Sequence, residues 1–100
     1  MKLKDIYIFV INGDFKKYID DKNIDISKVQ LKCADVNFGS VGIFPGRDKR
    51  IVISCLIDSI INFIKSAIVE QYITDRGTLY NDNYTLEIYD CDDKIYKIDE

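Results

Sequence analysis

The sequence predicts a single α+β domain over residues 1–100, with an antiparallel or mixed sheet packed on one long helix at about residues 54–74. Three observations carry this. The chain of 100 residues is 47% hydrophobic and 31% charged, a globular balance with room for one modest core. Ile57, Ile60, Ile61, Ile64, Ala67 and Ile68 recur at helical spacing, with Asp58, Asn62, Lys65 and Ser66 mainly opposite. On both sides of that stretch lie short segments dense in β-branched and aromatic residues, bounded by Gly, Asn and Asp.

Taken in order, Asp5–Ile11 reads as a buried strand, being almost wholly β-branched or aromatic. Asn12-Gly13 ends it, either as a hairpin turn or as the lead into a short helix. Phe15, Tyr18 and Ile19 favour the helix, over Asp14–Asn23 with Asp14 as its cap. Ser27–Ala34 alternates, with Val29, Leu31 and Cys33 on one face and Lys28, Gln30 and Lys32 on the other, as a half-buried strand does. Val41–Phe44 and Arg50–Ile53 read as two short strands joined by a turn at Pro45–Lys49. The long helix then runs from an N-cap at Ser54 toward a stop at Gly77, with Leu56 and Phe63 widening its apolar face. Thr78–Tyr80, Tyr84–Tyr89 and Lys94–Ile98 read as a three-strand meander. In the middle strand, Tyr84, Leu86 and Ile88 should pack on the long helix. Thr85, Glu87 and Tyr89 should face outward.

The residue inventory excludes several chemistries. With no histidine there is no Ser-His-Asp triad, no Cys-His pair and no imidazole metal site. Cys33, Cys55 and Cys91 are odd in number, widely spaced and without a Cys-x-x-Cys, so reduced thiols in a cytoplasmic protein are expected. Cys33 and Cys55 fall on apolar patterns and should be buried. Cys91 should be exposed, with its thiol raised by Asp90, Asp92 and Asp93. The glycines at 39, 42 and 46 lack the Lys-Ser/Thr of a phosphate loop. Arg47-Asp48-Lys49-Arg50 is a basic cluster interrupted by an acid, as in a solvated turn. Asp90-Cys91-Asp92-Asp93 resembles the start of a calcium loop but lacks its sixth-position Gly and twelfth-position Glu. The apolar stretch Ile51–Val69 contains Asp58, Asn62 and Lys65, which disfavours a membrane span. No cofactor and no metal are expected.

The charge is segregated. Residues 1–74 carry a net +2 and residues 75–100 a net −5, so the whole negative excess lies in the last quarter. Tyr72, Tyr80, Tyr84, Tyr89 and Tyr96 accompany it. Tyrosine gives rigid contact area and carboxylates steer toward basic partners. Eighteen Ile, eleven Lys and six Asn against two Ala and three Arg point to an A/T-rich gene, as in low-GC bacteria and their phages.

These observations predict a non-enzymatic acidic binding protein that inhibits a basic partner. The setting they suit best is a bacterial immunity protein that neutralises a nuclease-type toxin domain, whose basic surface serves phosphate binding. The alternatives are a phage-encoded inhibitor of a host defence complex that mimics nucleic-acid charge, a small enzyme using Asp or Glu with Tyr, and a structural subunit. The expected contact residues are Asp82, Glu87, Tyr89, Asp90, Asp92 and Asp93. Direct nucleic-acid binding and membrane association are not expected.

Overall fold

The computed structural model describes residues 1–34, 36–42, 48–74 and 83–98. The chain opens with two short helices, α1 (Leu3–Ile11) and α2 (Asp14–Asp21). Strands β1 (Ile26–Cys33) and β2 (Val36–Gly42) follow, then the long helix α3 (Lys49–Thr74), then β3 (Thr85–Asp90) and β4 (Ile95–Ile98). The four strands of the described residues form one antiparallel sheet in the order β2-β1-β3-β4. The small α+β domain with a long helix against a sheet is therefore as the sequence predicts.

The first element is a helix, not the expected strand. An apolar run this short suits a buried strand and a buried helix equally, and its partners decide. Leu3, Ile6 and Val10 fall on one helical stripe and are all buried. The Asp5 carboxylate accepts the backbone N–H of Lys2 at 3.3 Å and so satisfies one orphan donor of the first turn. The N-terminus is pinned to the sheet. The Met1 ammonium donates to the Tyr84 carbonyl at 2.9 Å, and the Tyr84 N–H donates to the Met1 carbonyl at 2.6 Å.

Asn12-Gly13 joins two helices. Gly13 has φ +94, a left-handed conformation that costs other residues energy. The Asn12 side chain accepts the Asp14 N–H at 2.9 Å and donates to the Asp14 carboxylate at 3.0 Å. Helix α2 thus forms as expected, with Gly13 rather than Asp14 as its N-cap. Phe15 and Ile19 are its buried residues, and the Phe15 ring meets Phe9 edge-on at 6.5 Å, which clasps α1 to α2.

Helix α3 begins earlier than the pattern indicated. Ser54 is an exposed residue within it, and Arg50–Ile53 is its first turn rather than a strand. Asp48 begins the helix. Its carbonyl accepts the Val52 N–H at 3.0 Å, and its carboxylate accepts the Arg50 N–H at 2.8 Å. The buried stripe is Val52, Ile53, Leu56, Ile60 and Ile64, while Ile57 and Ile61 are half-buried on its flank. Strand β2 starts at Val36, five residues before the expected Val41. Phe44, the turn at Pro45–Arg47, the stop at Gly77 and the strand Thr78–Tyr80 lie outside the described residues.

In the sheet, Val29 pairs with Ile88 and Leu31 with Leu86, which places both pairs on the inner face. Gly39 lies beside Leu31 on that face, and a Cβ there would stand 2.8 Å from the Phe63 ring of α3. The glycine therefore sets how closely α3 sits. Strand β3 has β1 on one side and β4 on the other, so the neighbour that the expected meander would have drawn from the segment just before β3 is instead β1, far upstream in sequence. No helix among the described residues is long and apolar enough to cross a membrane.

Candidate functional site

The expected contact residues separate into three groups. Asp82 lies outside the described residues. Glu87 and Tyr89 project from the outer face of β3, and Asp90, Asp92 and Asp93 form the β3–β4 turn. As the alternation of β3 predicts, Tyr84, Leu86 and Ile88 are buried inward.

The outer face is not the acidic surface that the sequence suggests. In register across it lie Lys28 beside Tyr89, Gln30 beside Glu87, Lys32 beside Thr85, and Lys97 beside Glu87. Glu87 is only 4% exposed, so the outward-facing carboxylate is covered by its neighbours. Lys32 Nζ lies 3.3 Å from Glu87 Oε1 and Lys97 Nζ 3.8 Å from Oε2. The Tyr89 hydroxyl is 3.0 Å from Glu87 Oε1 and 3.2 Å from Gln30 Oε1. It has one hydrogen and donates to one of the two at a time. Burial, followed by the Glu87 carboxylate that accepts this hydrogen, raises the Tyr89 phenol above its ordinary value. Lys28 Nζ sits 5.0 Å from the centre of the Tyr89 ring. The result is a network over β1, β3 and β4 with three lysines around one acid.

The turn has the opposite charge. Asp93 donates its N–H to the Asp90 carbonyl at 3.0 Å and adopts φ +62, which closes a tight hairpin. The Asp90 carboxylate accepts the N–H groups of Asp92 and Lys94, each at 2.9 Å, and is thereby occupied by the turn itself. Asp92 and Asp93 are exposed. Asp25, from the loop before β1, joins them because Cys91 donates its N–H to the Asp25 carbonyl at 2.9 Å. Ser27 closes the same corner, with its hydroxyl donating to the Asp90 carbonyl at 2.9 Å and lying 3.2 Å from that of Tyr89. A register shift between Ile26 and Lys28 turns Ser27 toward these groups.

Sequence reasoning missed Asp25, because only the pairing of β1 with β3 brings it to the turn. It also missed the role of Lys28, Lys32 and Lys97. Their alternation along the strands marked a polar face but not which acid they would meet. Of the cysteines, Cys91 is exposed as expected and Cys33 is half-buried. Cys55 is exposed and not buried, because α3 turns its Leu56 edge rather than its Cys55 edge to the core. Desolvation, the Asp25 carboxylate beside it, and then Asp92 and Asp90 raise the Cys91 thiol. That is the wrong direction for a nucleophile. Comparison with protein-family models, curated proteins and solved structures finds no match.

Proposed function

We propose that this chain is a non-enzymatic acidic binding protein that blocks a basic protein partner through its β3–β4 turn, in the setting of a bacterial immunity protein acting on a nuclease-type toxin domain. The observation that carries the reading is the convergence of exposed Asp25, Asp92 and Asp93 beside Asp90 from two separate segments. Four carboxylates at one end of a small domain, with Lys94 as the cation next in the chain, set up a local field that draws a cationic surface and speeds encounter. Nuclease domains present such surfaces because they hold phosphate backbones. The contact set is accordingly narrower than the sequence suggested. Asp92 and Asp93 are its accessible acids, Asp25 is added, Tyr89 borders it, and Glu87 supports Tyr89 from beneath.

The test is coexpression with the products of the adjacent genes, followed by association kinetics at two salt concentrations. Growth rescue of a toxic neighbour, with an association rate that falls as salt rises, is the expected result. D92K/D93K should slow association about tenfold and leave dissociation nearly unchanged. A rescued toxin whose binding ignores both salt and D92K/D93K would remove the turn from the interface. Capture of a host defence complex instead of a toxin would assign the same acids to a phage-type inhibitor.

A further inference from the structure

We propose that the outer face of the sheet receives a second copy of this chain, face to face about a two-fold axis, with the acidic turn of each copy over Lys32 and Lys97 of the other. Two surfaces of opposite charge on one molecule carry this. On the outer face of the described strands, Lys28, Lys32 and Lys97 surround a single acid, Glu87, which is buried and already shared between two of them. At the end of the same strand, Asp25, Asp90, Asp92 and Asp93 gather an excess of negative charge. Glu87 holds Lys32 and Lys97 from below, and the Tyr89 ring lies against Lys28. The half-exposed Ile95, beside Tyr89, supplies an apolar contact on the same face.

The spacing suits a two-fold arrangement. Asp90 lies three residues beyond Glu87 along β3, about 10 Å at the rise of a strand. Lys32, opposite Thr85, lies two residues the other way, about 7 Å. The side chains of Lys32 and Lys97 nevertheless reach Glu87, with Nζ 3.3 and 3.8 Å from its carboxylate oxygens. A two-fold axis lying between the two faces and crossing β3 midway between Glu87 and Asp90, about 5 Å from each, therefore carries each turn over those ammonium groups of its partner. Such a contact is isologous and closes on itself as a dimer rather than a filament. Four strands offer a face of roughly 20 by 20 Å, about 400 Å² per copy. At about 800 Å² in total this falls below the roughly 1,200–2,000 Å² of a standard specific interface, so the dimer is weak, reversible and salt-sensitive. The inference goes beyond the proposed function, since it assigns a use to the cationic face. It also implies that a basic partner and a second copy compete for the same acids.

Sedimentation equilibrium of the full chain at low and high salt tests this. The expected result is a monomer–dimer equilibrium at low salt that high salt abolishes. D92K/D93K should be monomeric, and so should E87Q/K32E/K97E, in which the Glu87 change keeps acids from facing one another. K32Q/K97Q is the milder second variant and should weaken the dimer at least tenfold. An equimolar mixture of D92K/D93K with E87Q/K32E/K97E should dimerise again, because each turn then meets a face of opposite charge. A chain that is monomeric at every concentration, a dimer that no reversal weakens, or a mixture that stays monomeric would each overturn the proposal. So would binding of a single-stranded oligonucleotide that is lost in K32Q/K97Q, which would give the face to a polyanion instead. Both lysine variants retain the acidic turn, so their binding to a basic partner reports on the proposed function separately.

Discussion

Leu86 and Ile88 are buried under the helices, whereas Glu87, between them in sequence, is buried on the opposite face of the same sheet. The inner face is closed by apolar side chains of α1, α2 and α3, and its burial is non-directional. The outer face is closed by its own cross-strand neighbours, with the Tyr89 hydroxyl between Glu87 and Gln30 and Lys32 paired to Glu87. The contrast teaches that exposure alone does not separate a core residue from a site residue. Glu87 is as covered as Leu31, but its cover consists of lysines and a tyrosine, all half-buried or exposed and able to respond to a partner.

The inner face should break most easily. Ile60→Asp or Ile64→Asp places an unpaired charge in the apolar cluster, at several kcal/mol against a total stability of about 5–15 kcal/mol. Both variants should lose the cooperative thermal transition followed by circular dichroism. A retained melting temperature would mean that the α3 stripe is not covered. Gly39→Ala comes next, because its Cβ would press on the Phe63 ring. About 1–3 kcal/mol should be lost, and Phe63→Leu should recover part of it in a double-mutant cycle by urea denaturation.

On the outer face the effects should be smaller. Glu87→Gln keeps the shape but removes the charge that Lys32 and Lys97 share. Both lysines reach water, so the loss should be about 1–2 kcal/mol, well below the Ile60→Asp effect. An equal loss from the two would erase the distinction between the faces. The smallest effect belongs to the turn. Asp25→Asn removes a carboxylate that raises the Cys91 thiol, so the thiolate fraction at pH 8 should rise. Alkylation of Cys91 in a Cys33→Ser/Cys55→Ser background should then speed up a few-fold, read by mass spectrometry. No change would mean that Asp25 does not stand at the turn.

The sequence by itself determined the elements whose periodicity is unambiguous. The Ile60–Ile64 stripe could only be helical, and the alternation through Val29–Leu31 and Leu86–Ile88 could only be extended. The Phe15, Tyr18 and Ile19 spacing likewise marked α2. Composition also placed the negative excess in the last quarter of the chain, and Asp92 and Asp93 are indeed exposed there. The tertiary structure decided the rest. The run Ile6–Ile11 carries no period that distinguishes helix from strand, and it became a helix because Leu3, Ile6 and Val10 have α3 and the sheet to pack against. Arg50–Ile53 joined α3 because Asp48 offered a cap six residues before the one expected at Ser54. Pairing of β1 with β3, residues some sixty positions apart, brought Asp25 to the turn and the lysines to Glu87. Strand register is a long-range choice, settled by which faces bury together. Local spacing fixes which side chains share a face but not which strand lies beside it.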